Sequence, residues 1–130
     1  KPSVVIFHNW RLSLPKRDVY SFPFSTIYSL LVDKVERKGR GKRDVDAAIN
    51  WLFGYSEERI EEMAHSDVTY SDFLLSAPSP NPKRLQKKGR ICGIKVEELE
   101  EGKERDMRIL DLMVDELAKG KTLKKIFMEE

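Results

Sequence analysis

Cysteine occurs once in the 130 residues, at Cys92, and histidine twice, at His8 and His65. One thiol cannot close a disulfide within the chain. One thiol and two histidines far apart in sequence do not make the ligand set of a structural zinc site either. No metal and no cofactor is therefore expected, and a lone cysteine suits a reducing, cytoplasmic setting. Long apolar runs are also missing. No stretch approaches the ~18 residues that mark a membrane-spanning helix, so no membrane partner is expected. The run "SVVIF" at Ser3–Phe7 falls short of a secretory signal core. The sequence opens on Lys1 and not on methionine, which leaves room for an upstream targeting signal. Glycine is scarce, and nowhere does it take the spacing of a phosphate-binding loop ending in Lys-Ser or Lys-Thr. No internal repeat is present.

What the chain has in quantity is charge. Charged residues make up 35% of it and hydrophobic ones 40%, a globular balance rather than a disordered one. A chain of this length suits one domain that buries roughly two-thirds of its unfolded surface. Net charge is only +2, but the charges come in blocks. Residues 33–43 hold six cations against two acids, and residues 83–95 hold six cations and no acid. Residues 117–128 add four lysines, while the acids concentrate in residues 44–82 and 96–116. Blocks of alternating sign pair across a fold or form separate surface patches.

Apolar periodicity divides the chain into helices. Ile27, Leu30, Leu31 and Val35 predict a helix over about 25–38, with Ser25 as N-cap and Gly39 and Gly41 past its end. Val45, Ala48, Ile49, Leu52 and Phe53 predict a second, started by Asp44 or Asp46 and ended by Gly54. Ser56 caps a third, with Ile60 and Met63 inward and Glu57 and Glu58 at its positive end. A short fourth falls near Ser71–Ala77, stopped by Pro78, Pro80 and Pro82. Asn81–Gly89 reads as a loop. Cys92, Ile94 and Val96 alternate, so a short strand or hairpin is expected near residues 90–96. The strongest helix spans about 104–119, with Met107, Leu110, Met113, Val114 and Leu117 on one stripe and Gly120 beyond it. Thr122 caps a last turn that buries Leu123, Ile126 and Phe127. Residues 1–18 read as an extended arm, able to pair with the strand, and residues 19–130 as the globular unit.

Each possible site has an ordinary counterpart. Residues 45–64 have helix-turn-helix spacing, but Glu57, Glu58, Glu61 and Glu62 on the second helix would repel a duplex. A plain helical hairpin is the reading. Lys83, Arg84, Lys87, Lys88 and Arg90 form the candidate anion site, with Gly89 allowing close backbone approach. No aromatic residue interleaves them, so they offer no base-stacking platform in sequence. The other basic run, Lys34–Arg43, can join them only through the fold. Cys92 has Arg90 and Lys95 near it, yet its place in the apolar alternation reads as a buried packing cysteine. His65 reads as a helix-end cap. The acids Glu97, Glu98, Glu100, Glu101, Glu104 and Asp106 match no calcium loop and read as a charged helix start. Trp51, Phe53, Tyr55, Tyr70 and Phe73 read as core.

Five segments stand in a recognisable order: "FSTIYSLLVDKVERKGR", "VDAAINWLFGY", "FLLSAPSPNP", "GRICGIKVEELE" and "LDLMVDELAKGKTLKKI". Over about residues 19–128 the chain resembles domain of unknown function family 2200, a group of small prokaryotic proteins. The resemblance implies a free-standing cytosolic domain with residues 1–18 outside the common unit. The family has no assigned activity, so it offers no catalytic or binding residue to carry over.

The expected fold is mainly α, a single domain of five or six helices packed around the helix at 104–119, with at most a hairpin near 90–96. The leading functional reading is a non-enzymatic binding module whose basic surface meets nucleic acid or an acidic protein. One alternative is a small enzyme using Cys92 or a pocket carboxylate. Another is a homo-oligomer held through the helix at 104–119.

Overall fold

The computed structural model describes residues 18–129. Apart from Asp18, the expected arm lies outside the described residues, and so does its pairing with the strand. Six helices follow in order: α1 (Phe24–Glu36), α2 (Lys42–Phe53), α3 (Glu57–Ala64), α4 (Tyr70–Leu75), α5 (Lys103–Ala118) and α6 (Leu123–Ile126). Between α4 and α5 lie a 3-10 turn, Pro82–Gln86, and an antiparallel hairpin of β1 (Arg90–Ile91) and β2 (Ile94–Lys95). The architecture is mainly α, in the expected order.

The apolar stripe of α5 is wider than the sequence pattern suggested. Ten of its sixteen residues are buried, including Asp106, Asp111 and Glu116. A single amphipathic stripe would cover fewer, so α5 is enclosed rather than laid on a surface. It packs against α1, α2, α4, α6 and the hairpin. A second part of the core is aromatic. Phe24 stacks on Phe73 at 4.3 Å, and Tyr55 stacks on the same ring at 5.1 Å. Such pairs contribute about 0.5–1.5 kcal/mol each beyond simple burial.

Caps set most helix boundaries. The Ser56 hydroxyl accepts the Arg59 N–H at 3.0 Å, and Thr122 does the same for Lys125 at 3.2 Å. Two expected starts move. Pro23, not Ser25, precedes α1, and no side chain caps it. The chain instead pairs with the residues before α4: Phe24 N–H donates to the Val68 carbonyl and Tyr70 N–H to that of Phe22, both at 2.8 Å. Tertiary pairing thus meets the Phe24 N–H, an orphan donor of a first turn that begins before Ser25. Helix α2 starts at Lys42, so Asp44 sits in its first turn and holds Arg40 at 3.0 Å. Helix α4 is capped by Thr69 and starts at Tyr70. The expected loop at 81–89 contains the 3-10 turn, capped by the Asn81 side chain on Lys83 N–H at 2.9 Å.

Buried charges are met one by one. Arg84 Nε donates to Asp106 at 2.8 Å and Arg84 Nη1 to the Asn81 carbonyl at 2.9 Å. Lys87 Nζ donates to Glu116 at 2.8 Å and to the Ile126 carbonyl at 2.9 Å. Tyr28 donates its hydroxyl proton to Asp46, whose other oxygen holds Lys42 at 2.8 Å. Burial and the neighbouring Asp46 carboxylate push the Tyr28 phenol pKa well up, so it stays the donor. The hydrogen bond to Asp46 likewise holds the Lys42 ammonium in its charged form.

Two outcomes are expected in urea unfolding. Lys87→Ala lowers stability by about 3 kcal/mol, because Glu116 is left buried with only the longer 3.4 Å contact to Lys121. The pair Lys87→Met with Glu116→Leu recovers most of that loss, whereas a double variant as unstable as Lys87→Ala argues against the unpaired-charge account. Gly54 adopts φ 86° at the end of α2, and a Cβ there would lie 2.7 Å from Ser79 Cβ. Gly120 has φ 93° with open space around it. Gly54→Ala therefore costs more than the ~1–2 kcal/mol of left-handed strain that Gly120→Ala carries. Equal losses would remove the role of the Ser79 contact.

Candidate functional site

The five candidate anion-binding cations separate by depth. Lys83, Lys88 and Arg90 are exposed, whereas Arg84 and Lys87 are buried at 7% and 4% exposure and committed to Asp106 and Glu116. Arg84 and Lys87 are thus internal struts, a correction to the site read from sequence. A run of cations shows its charge in sequence but not which heads turn inward. Gly89 is also occupied. Its N–H donates to Glu97 at 3.1 Å, and that bond holds the Glu97 carboxyl below the usual range. Its carbonyl accepts from Val96 N–H at 2.9 Å. The backbone at Gly89 is therefore spent within the hairpin rather than offered to a phosphate.

Cys92 is exposed, not buried as the alternation suggested. Arg90 faces Lys95 and Ile91 faces Ile94, leaving Cys92 and Gly93 as a two-residue turn. Both have positive φ, 52° and 79°, the signature of a type I′ turn. Ile91 and Ile94 are partners across the hairpin, so Cys92 falls in the turn rather than in an alternating strand. His65 follows α3 as expected for a cap. Its Nδ1 lies 2.9 Å from the Glu61 carbonyl, which can only accept, so the Nδ1–H tautomer donates. The acids at 97–106 disperse: Glu98 lies 3.9 Å from Lys95, while Asp106 turns inward to Arg84. Among the described residues no group of three His, Cys, Asp or Glu side chains is placed to hold a metal.

An open cleft of about 310 Å³ lies between α3 and α4, with Tyr55, Met63 and Val68 in its lining and Arg59 and Asp72 as its charged residues. Neither Cys92 nor His65 lines it. The Tyr55 hydroxyl is committed to the Phe73 carbonyl at 2.7 Å, and burial pushes its pKa up against the opposing pull of Arg59. Such a lining has shape but no nucleophile and base in contact.

The basic blocks meet at the C-terminal end of α5. Arg40 Nη1 donates to the carbonyls of Leu117 at 3.3 Å and Lys121 at 2.6 Å. Lys34 reaches Asp115 at 3.3 Å, beside Lys119 at 3.0 Å. Burial alone would raise the Asp115 pKa, but Lys119 and Lys34 outweigh it and hold the carboxyl below its usual range. This pairing stabilises the fold above the ordinary aspartate pKa and is lost as pH falls through the lowered one. From the third block, Lys87 shares Glu116 with Lys121. Carbonyls at a helix C-terminus carry partial negative charge, so cations gather there. The run at Lys34–Arg43 thus joins the lysines at 119–125, with the segment at 87–88 beside them. The sequence shows the four lysines of 117–128 as a block, but only the fold sets that block against the run at Lys34–Arg43.

Two measurements check the hairpin. Iodoacetamide labels Cys92 in the folded protein at a rate within a few-fold of that in urea, and protection of a hundredfold would contradict the exposed turn. Cys92→Asn raises the urea midpoint by the equivalent of about 0.5–1 kcal/mol, since Asn tolerates the left-handed conformation better.

Among curated proteins none matches the chain. Among solved structures it is similar to a crystal structure of uncharacterized protein SP1917, with 36% identity, 90% of this chain and 95% of that chain covered, and a TM-score of 0.82. Residues 18–128 match the model of a family described as an uncharacterized protein conserved in bacteria, DUF2200, and the chain belongs to that family.

Proposed function

We propose that the chain is a non-enzymatic interaction module, working in the cytoplasm, that binds an anionic macromolecule through the basic face around the C-terminal end of α5. The observation that carries this reading is convergence. Three basic segments, at 34–43, 87–88 and 119–125, are tied to one helix end by Arg40, Lys34, Lys87 and Lys121. Around these ties stand Lys38, Arg43, Lys124 and Lys125, exposed and in no salt bridge among the described residues, and Lys88, exposed, whose charge helps to hold the Glu97 carboxyl below its usual range. Cations left in water beside others lower the cost of bringing a polyanion near. The thiol supports the non-enzymatic side, because Cys92 stands exposed on a hairpin tip with no base bonded to it among the described residues.

The test is binding of two labelled polyanions, a single-stranded oligonucleotide and a polyglutamate peptide, followed by anisotropy across a salt series. At least one binds at low salt and weakens as salt rises. For the oligonucleotide, changing Lys124 and Lys125 to Gln lowers the slope of log K against log salt by about 1.4, or 0.7 per lost phosphate contact. Failure of both probes to bind at low salt, or a slope unmoved by the variant, overturns the proposal.

A further inference from the structure

The sequence places no aromatic residue in the basic runs at 34–43 and 83–95, but the fold brings two beside them. Trp51 and Phe127 stack with their rings 5.2 Å apart and 2° from parallel, and both are only partly buried. Phe127 directly follows α6, whose Lys124 and Lys125 are exposed. Ile126, its neighbour, accepts from Lys87, which sets Lys88 beside the same end. On α2, Arg43, Ala47 and Trp51 stand at i, i+4 and i+8, so they share one stripe. An aromatic stack is thus framed by exposed cations from three segments: Arg43, Lys88, and the pair Lys124 and Lys125.

We infer that this face binds single-stranded nucleic acid, with a base continuing the Trp51–Phe127 stack and its flanking phosphates on Arg43, Lys88, Lys124 and Lys125. The inference rests on the basic-face reading above and narrows its partner. The aromatic stack favours this partner over an acidic protein and over a duplex. Carboxylates on a protein surface need cations alone, whereas an unstacked base also needs a π-face. A duplex keeps its bases stacked inside and has no use for that face, whatever its charge. Stacking of this kind accepts any base, so the expected preference is for strandedness rather than for sequence.

The experiment uses the full chain with Trp10→Phe, leaving Trp51 as the sole indole. Three probes are titrated at low salt: a single-stranded oligonucleotide, a duplex of the same length, and polyglutamate. Trp51 emission and anisotropy are both read. The expected result is quenching by the single strand, with affinity about tenfold above that for the duplex. Trp51→Leu weakens single-strand binding about tenfold while duplex binding is unchanged, and Trp51→Phe restores much of it. Circular dichroism melts establish that each variant folds, and Phe127→Leu gives the same readout should Trp51→Leu fail to fold. Equal affinity for single strand and duplex with no effect of Trp51→Leu overturns the inference and leaves the basic face standing. Binding of polyglutamate alone overturns it in favour of an acidic protein. Binding of no probe overturns both readings.

Discussion

Enclosing α5 is the constraint on which the rest of the structure depends. A helix with apolar residues on one stripe can lie on a surface, but this one carries Asp106, Asp115 and Glu116 into contact with its neighbours. A carboxylate taken from water without a partner costs several kcal/mol. Each of the three therefore draws in a cation from a distant part of the chain. Arg84 and Lys87 come from the segment before the hairpin, Lys34 from α1, and Lys121 from the turn before α6. Those ties fix where the connecting segments run. The proline-rich stretch after α4 is held down on both sides, first by Ser79 and Asn81 on the end of α2, then by Arg84 and Lys87 on α5.

The same ties decide what the surface looks like. Cations consumed inside leave their sequence neighbours outside, so Lys83 and Lys88 flank two internal struts. At the end of α5, Arg40 serves as both a cap for backbone carbonyls and the link that brings α2 against the start of α6. The basic face is in this sense a by-product of closing the core. Its net charge remains positive because Asp115 and Glu116 are each shared by two lysines, while Asp44 is met by Arg40. The acids of α3 do not erase it, since Glu61 reaches Lys42 only at 3.7 Å and Glu62 pairs with Arg59 on its own helix.

Much of this fold was legible in the sequence, and the reasons are local. Gly54, Ser56 and Thr122 act within one turn of themselves, so their roles as stop and caps needed no knowledge of neighbours. The order and number of helices followed from period alone. What could not be read depended on distant partners. Ser25 lost its capping role to the pairing of Phe22 and Phe24 with residues 68–70. Cys92 fitted an apolar alternation, yet a type I′ turn needs two residues of positive φ between the strands, and the glycine after Cys92 was the only signal for it. Of the five candidate cations, Lys83, Lys88 and Arg90 are exposed, whereas Arg84 and Lys87 answer to acids 22 and 29 residues away. The aromatic stack was invisible for the same reason, because Trp51 and Phe127 meet only when α2 and α6 lie side by side.

The position of α5 in chain order has a consequence for biosynthesis. The helix that completes the core is the fifth of six, and its last buried partner, Ile126, lies almost at the end of the family unit. A ribosome adding roughly 5–20 residues per second takes several seconds to pass from α4 to α6. Through that interval Leu31, Ile49 and Leu52 have no α5 to cover them. The nascent chain thus carries an open apolar seat until residues 103–126 emerge, and the length of that interval is set by translation speed over residues 76–126 rather than by the stability of the finished fold.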